Sequence, residues 1–267
     1  MGHSNNTTQG VKHSSVLLFI IITNALVFVG LRLISATLNL GIYSEFEHDI
    51  LHQVELPASY QMVLTKPWTL VTYMFCQFDP SHLILNMLML CLSGYYFTMA
   101  FGSFRFLLLY ILGGVAGASA FIGYSTYFSG ISSAEYLTGS SAAVFSIMTA
   151  VTILLPNKKV YISIFGDIKL KWIIIGVIAV DLYLSATGEN IDGHIAHLGG
   201  VSMGILYGCI TKLFRPSKRS RQAESIKSIN SSAMNPDMIL NKIKLRGYAS
   251  LTAEEREQIF EISNRMK

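Results

Sequence analysis

Long apolar runs alternate with polar intervals along most of the chain. Six runs can be traced, at about 15–35, 82–101, 104–124, 141–155, 172–187 and 193–213. Several of them reach the roughly 17–25 residues that an α-helix needs to cross the hydrocarbon core of a bilayer. The pattern therefore predicts an all-α polytopic membrane protein with six transmembrane helices.

The interval between the first two runs, about 36–80, is too long and too apolar to be a simple tether. Within it, Pro67–Phe75 is amphipathic and carries aromatic side chains suited to the bilayer interface. We expect this segment to lie partly in the outer leaflet. A seventh short helix inside it is an open alternative.

The C-terminal region carries the sequence signals of two short helices. Asn235 followed by Pro236 is an N-cap with proline at the first helical position. Gly247 is a stop signal, and Thr252–Glu255 is typical of a capping box. We expect a small cytosolic helical hairpin at 235–266.

These patterns predict a chain in four parts. They are a cytosolic N-terminal tail at 1–14, a six-helix membrane domain at 15–213 that includes the outer connection 36–80, a basic serine-rich linker at 214–234, and the hairpin at 235–267.

Composition agrees with a membrane protein. Hydrophobic residues make up 51% of the chain and charged residues only 13%, whereas soluble domains average about 25% charged residues. The first run has little basic charge before it, is longer than a signal-peptide core and lacks an obvious cleavage site, so it predicts an anchor. The cysteines show neither pairing nor metal spacing and are assigned no role: Cys76, Cys91 and Cys209.

Lysine and arginine are distributed unevenly between the polar segments. One side of the predicted membrane holds eleven: Lys12, Arg105, Lys158, Lys159, Lys169, Lys171, Lys212, Arg215, Lys218, Arg219 and Arg221. The other side holds only Lys66, with Arg32 near a helix end. Because basic residues favour the cytoplasmic side, we expect both termini there, in a multi-pass protein of the bacterial cell (inner) membrane. Segments 36–80, 125–140 and 188–192 are then expected outside.

The fourth run is too short to span a bilayer. From Ser141 to Leu155 it has 15 residues, which make about 22 Å of helix against a core of about 30 Å. Lys158 and Lys159 are expected to hold its inner end at the cytoplasmic surface. Ser141 is then expected about 8 Å below the outer surface, at the floor of a small aqueous pocket.

The sixth run brings an imidazole to a similar depth. His197 lies about five residues into this run, and it shares one helical face with Gly200 and Gly204. Glycines four residues apart let a neighbouring helix approach closely in lipid. The fourth run offers a matching face of small residues: Ala142, Ser146 and Ala150. If the two faces pack together, His197 contacts Ser141.

These residues predict serine hydrolysis. Ser141 attacks a carbonyl, and His197 takes its proton and returns it to the leaving amine. His82 and Asn86 are one helical turn apart on the second run. With the Ser141 backbone N–H, they are expected to hold the negative charge of the transition state. Neither a cofactor nor a metal is expected.

Each assignment has a competitor. Ser140 is the alternative nucleophile, and His194 is the alternative base, one turn shallower than His197. Asp181 in the fifth run is an intramembrane carboxylate that could complete a triad, although a structural hydrogen bond is the favoured interpretation. For His82 the alternative is a hydrogen bond that ties the first outer connection to the second run.

Three motifs in this order resemble the rhomboid family of intramembrane serine proteases. They are Gly139-Ser140-Ser141 on the fourth run, Ala196-His197 with Gly200 and Gly204 on the sixth, and His82 with Asn86 on the second. The resemblance covers about residues 15–213 and implies a six-transmembrane-helix rhomboid-like bundle with a Ser–His dyad. The chain departs from the family pattern at four places: Thr69, Gln77, Ala142 and Phe145.

The resemblance implies an endopeptidase whose partners are single-pass transmembrane substrates and the lipid bilayer, with no nucleic acid. It implies cleavage near the outer end of the substrate helix, beside small and helix-breaking residues. The fifth run is also short, so we expect sideways substrate entry past it. Two other interpretations stay open. One is a catalytically inactive relative that binds transmembrane segments, and the less favoured one is a transporter, which needs more ligand residues near the histidines.

Overall fold

The computed structural model describes residues 4–38, 52–128, 135–162, 166–186, 190–214 and 236–265. Its helices are α1 Ser4–Leu38, α2 Tyr60–Thr65, α3 Thr69–Thr72, α4 Pro80–Phe101, α5 Ser103–Tyr127, α6 Ser141–Leu154, α7 Leu170–Ala186, α8 Ile191–Phe214, α9 Pro236–Arg246 and α10 Ala253–Arg265. Its strands are β1 Leu56–Pro57, β2 Tyr136–Leu137, β3 Lys159–Ile162 and β4 Gly166–Lys169. The chain divides into two compact units, Met1–Leu213 and Phe214–Lys267.

Each of the six apolar runs forms a helix: α1, α4, α5, α6, α7 and α8 in chain order. By length and composition, three segments among the described residues can cross a membrane, namely Ser15–Ala36, Pro80–Phe101 and Ser103–Tyr127. Helix α1 begins at Ser4, so it extends into the segment expected to be a tail. The count of six spans stays a prediction.

Helix α6 is the centre of the first unit. It has 14 residues, about 21 Å of helix, which confirms that the fourth run is short. Almost all of its side chains are buried, and it packs against α4, α5 and α7. A helix that is apolar on all sides belongs in the middle of a bundle.

The predicted packing of small faces between α6 and α8 is confirmed. A Cβ built on Gly200 would lie 2.1 Å from the carbonyl oxygen of Ala142, and one built on Gly204 would lie 2.5 Å from that of Ser146. No side chain larger than hydrogen fits at these contacts without a shift of the backbone. The two helices therefore approach closely enough for residues at their outer ends to bond.

The described part of the first outer connection contains the short helices α2 and α3, so the alternative of an additional helix there is confirmed in this form. Strand β1 pairs antiparallel with β2, which joins the connection to the segment that precedes Ser141. The Gly139 N–H donates to the carbonyl of Tyr73 at 3.0 Å, and the Tyr73 hydroxyl donates to the carbonyl of Gly114 on α5 at 2.6 Å. These bonds fix the entry into α6.

The expectation of a purely helical chain needs a correction. Strands β3 and β4 form an antiparallel hairpin in the segment after α6, with Lys159 opposite Lys169. With only four residues per strand, the alternation of side chains is too short to stand out in the sequence. The chain is mostly helical, with this hairpin and the β1–β2 pair added.

The second unit contains α9 and α10. The predicted capping box is present: Glu255 accepts from the Thr252 N–H at 2.7 Å, and Thr252 Oγ1 accepts from the Glu255 N–H at 3.3 Å. Lys242 of α9 donates to both carboxylate oxygens of Glu255 at 2.9 Å. This bond lowers the pKa of the Glu255 carboxyl and joins the two helices. Of the predicted linker at 214–234, residues 215–234 lie outside the described residues, as does the N-cap Asn235.

Candidate active site

Ser141 is the first residue of α6, directly after a turn that only glycine adopts easily. Gly139 has φ +117°, in the region that L side chains rarely occupy. Ser140 is the N-cap, and Ser141 is 7% exposed. Since the first N–H groups of a helix have no partner within it, the Ser141 backbone N–H is placed at a helix start suited to negative charge.

His197 contacts Ser141 from α8. Its Nε2 lies 2.7 Å from Ser141 Oγ, a normal hydrogen-bond distance. Its ring stacks on Phe145, one turn further along α6, with centroids 4.6 Å apart and planes 9° from parallel. The stacking holds the imidazole plane against α6, so Nε2 stays directed at the serine.

Asp181 of α7 determines which nitrogen of His197 carries the proton. Its Oδ1 lies 2.7 Å from His197 Nδ1 and 2.8 Å from His194 Nδ1. A carboxylate only accepts hydrogen bonds, so both Nδ1 atoms donate to it. Neutral His197 then has a bare Nε2 that can accept the Ser141 proton. Sequence reasoning favoured a structural hydrogen bond for Asp181 and kept the third position of a triad as its alternative, and the contact with His197 is the geometry of that alternative.

His194 also contacts other residues of the candidate site. It is 7% exposed, and its ring stands edge-on to that of His197, with centroids 5.7 Å apart and planes 84° apart. Through Asp181 it is joined to the predicted base, but its bonded nitrogen faces the carboxylate. The contact to Ser141 Oγ described above belongs to His197.

Ser140 points into the protein interior. It is fully buried, and its Oγ accepts from Gln77 Nε2 at 3.2 Å. Gln77 Nε2 also donates to Asn24 Oδ1 at 3.0 Å, and Gln77 Oε1 accepts from Asn86 Nδ2 at 3.1 Å. This buried polar network of Asn24, Gln77, Asn86 and Ser140 joins α1, α4 and the start of α6. The sequence marked Gln77 only as a departure from a family pattern and did not predict the network.

The structure places the His82 ring beside the Gly139–Ser141 backbone, and it holds Asn86, one turn further along α4, in the buried network. A Cβ built on Gly139 would lie 3.2 Å from His82 Cε1 and 3.8 Å from Ser141 Oγ, so both side chains border the same stretch of backbone. Asn86 is 6% exposed. One of its two amide N–H groups is donated to Gln77, which holds the amide plane in one orientation. The oxyanion role of both residues stays a prediction.

The arrangement as a whole has the parts that acyl transfer requires. A hydroxyl is bonded to an imidazole, the imidazole is bonded to a carboxylate, and the hydroxyl belongs to the first residue of a helix, whose backbone N–H is a potential donor. Triads of this kind are recognised by geometry and not by their order in the chain. Near-complete burial of Ser141 keeps the dielectric low, which strengthens each of these interactions.

Comparisons with known proteins identify the family to which the matched part of the chain is similar. A family model of the Rhomboid domain matches residues 64–214. The chain is 30% identical over 138 residues to "Rhomboid protease GluP" of Bacillus subtilis (strain 168), which covers 51% of this chain and 24% of that protein. It is 26% identical over 214 residues to "RHOMBOID-like protein 12, mitochondrial" of Arabidopsis thaliana, which covers 74% of this chain and 59% of that protein. Both relatives therefore contain sequence beyond the matched part.

Proposed function

This chain belongs to the rhomboid family, and from that premise we propose that it is an intramembrane serine endopeptidase. The family and the apolar helices make it a membrane protein. The observation that carries the proposed activity is the 2.7 Å contact between His197 Nε2 and Ser141 Oγ. Its substrates are single-pass membrane proteins, which it cuts in or near their transmembrane segments.

In the proposed reaction Ser141 attacks the scissile carbonyl while His197 accepts its proton. The backbone N–H of Ser141, the amide of Asn86 and the ring of His82 stabilise the oxyanion. His197 then protonates the leaving amine and activates the water that releases the acyl group. Asp181 touches neither substrate nor nucleophile. It acts as a positioning residue for His197, so the Ser–His dyad acquires a carboxylate behind its base.

The experiment that tests this proposal uses the purified full chain in detergent and a substrate with one transmembrane segment. Ser141→Ala is expected to abolish both cleavage and labelling by a serine-reactive fluorophosphonate. Ser202→Ala is the matched control, because this exposed serine on α8 donates to its own helix, at 2.8 Å to the Leu198 carbonyl. Full cleavage by folded Ser141→Ala would overturn the proposal.

A second pair of variants tests the base. His197→Ala is expected to lose cleavage to near background, because its Nε2 is the nitrogen that bonds Ser141 Oγ. His194→Ala is expected to lose far less, since its bonded nitrogen faces Asp181. Equal losses in the two folded variants would reject the assignment of His197. Wild-type protein that neither cleaves nor labels would instead favour an inactive relative.

A further inference from the structure

Three potential metal ligands converge behind the predicted base. Asp181 Oδ1, His194 Nδ1 and His197 Nδ1 all lie within 4.8 Å of one another. His194 and His197 are three residues apart on α8, so both rings leave the helix on the same side, and Asp181 faces them from α7. His197 and Asp181 have roles in the proposed hydrolysis, whereas His194 has none.

This donor set suits zinc. Two imidazole nitrogens and one carboxylate oxygen match the three protein ligands of zinc sites that keep a fourth position for water. The same nitrogen-rich set disfavours Mg²⁺ and Ca²⁺, which prefer oxygen ligands. The three side chains keep 9–12% of their surface exposed, so they are mostly buried but not fully enclosed.

Two of the three ligand distances fit zinc with a small adjustment, whereas the two Nδ1 atoms, which lie within 4.8 Å of each other, have to come to about 3.3 Å. Zinc bonds of about 2.0–2.1 Å in tetrahedral geometry put ligand atoms about 3.3 Å apart. The nitrogens now lie 2.8 and 2.7 Å from Asp181 Oδ1, held there by hydrogen bonds. Each ring has to withdraw from the carboxylate by about 0.5 Å, a shift of the size that a small tilt of the side chain gives.

Binding an ion here has a defined chemical consequence for His197. A zinc ligand nitrogen carries no proton, so the proton on Nδ1 must move to Nε2 while the ring stays neutral. Nε2 then bears an N–H directed at Ser141 Oγ and has no lone pair left to accept the serine proton. The ion blocks the base without contacting the nucleophile.

We propose that Asp181, His194 and His197 form a binding site for a zinc-class divalent cation, and that its occupancy inhibits hydrolysis at Ser141. The inhibition rests on the proposed protease function, whereas the binding does not. His194 gains a role as the ligand that makes the site tridentate.

The binding is measured first, on Ser141→Ala protein, where catalysis plays no part. Co²⁺ absorption and Zn²⁺ equilibrium dialysis on the full chain in detergent are expected to give one ion per chain. Adding His194→Ala or His194→Gln is expected to weaken binding about tenfold or more, since even an outer partner of a ligand is worth about 10–100-fold. The glutamine variant keeps a donor for Asp181 and guards against a folding defect.

His52→Ala is the matched control for that measurement. His52 also bonds a carboxylate, with Nδ1 2.6 Å from Glu55 Oε2, but this pair is not part of a three-ligand group among the described residues. Affinity is expected to be unchanged in this variant. The proposed site would be rejected if the His194 variants bound zinc as tightly as the Ser141→Ala protein. It would also be rejected if His52→Ala weakened binding as much as the His194 variants do.

The inhibition is measured second, on active protein with buffered Zn²⁺. Each variant's cleavage rate is divided by its own rate in chelator. Half-inhibition of the His194 variants is expected to need about tenfold or more Zn²⁺ than that of the wild type, and about 1 mM Mg²⁺ is expected to have no effect. Zinc that binds to Ser141→Ala yet leaves wild-type cleavage intact would reject the inhibition. Absence of any cleavage in chelator would reject the proposed protease function and leave the binding result standing.

Discussion

Asp181 is a carboxylate in an apolar helix, where an unpaired charge is costly. Two imidazole N–H groups offset that cost, because His194 and His197 both donate to the same oxygen. The same two bonds stabilise the carboxylate and hold the His197 ring in place. The structural hydrogen bond that the sequence favoured and the proposed positioning of His197 are therefore compatible.

The positioning role predicts that Asp181→Asn lowers kcat far more than it raises KM. An asparagine can present its NH2 to His197 and favour the wrong tautomer, which in a soluble serine protease costs up to about 10⁴ in turnover. Steady-state cleavage rates and their pH profile provide the measurement. Leu182→Ala is the control on the same helix, because Leu182 is 47% exposed. A KM effect alone, with kcat retained, would reject the positioning role.

Asn86 is expected to act in the transition state. Asn86→Ala should lower kcat by about 10²–10³ with little change in KM, since an oxyanion donor binds most strongly when negative charge develops. Asn24→Ala separates this role from the buried network, because Asn24 also bonds Gln77 but lies on α1. An equal loss of kcat in Asn24→Ala would mean that the network, and not the Asn86 amide, carries the effect.

At the scale of elements, the contact between α6 and α8 decides whether the site forms. Gly200→Ala is expected to destabilise the protein by about 1–3 kcal/mol and to reduce cleavage, because the new Cβ meets a backbone carbonyl that cannot rotate away. Thermal unfolding in detergent and the cleavage rate provide the measurements. Gly123→Ala is the matched control, since a Cβ at this α5 glycine has nothing within 4 Å. Equal stability of the two variants would contradict the close packing.

Helix α7 was expected to be a route for substrate entry, and the structure shows that it also supplies the carboxylate that bonds His197. Sideways substrate entry past this helix was expected from the sequence, and it stays a prediction. Leu182 and Leu184 are 47% and 44% exposed, so truncating them removes little packing. Asp181 on the same helix bonds His197 of α8. Any outward movement of α7 at this level breaks the bond that orients His197.

At the scale of the whole molecule, the distribution of basic residues predicts the topology. In a cysteine-free background, Glu135→Cys is expected to react with an impermeant maleimide on intact cells, because it lies in a segment predicted to be outside. Lys158→Cys is expected to react only after the membrane is permeabilised. The reverse pattern would place Ser141 at the opposite face of the membrane and reject the predicted orientation.

Local pattern alone determined much of this protein. Apolar length predicted the helices, the run from Ser141 to Leu155 predicted that α6 is short, and glycine spacing predicted which faces pack. These properties depend on residues within a few turns of one another, so a single sequence contains them. The capping box at Thr252–Glu255 was predictable for the same reason.

Tertiary structure decided what the polar residues contact. Ser141 and Ser140 are adjacent in sequence, yet one bonds His197, 56 residues away, and the other bonds Gln77, 63 residues away. Asp181 bonds two histidines because the polar faces of α7 and α8 are turned toward each other. Gln77 joins Asn86 to Ser140 because the start of α6 faces α4 in the same bundle. Periodicity states which residues share a helix face, but the direction of that face in the bundle is settled by the packing of all the helices together.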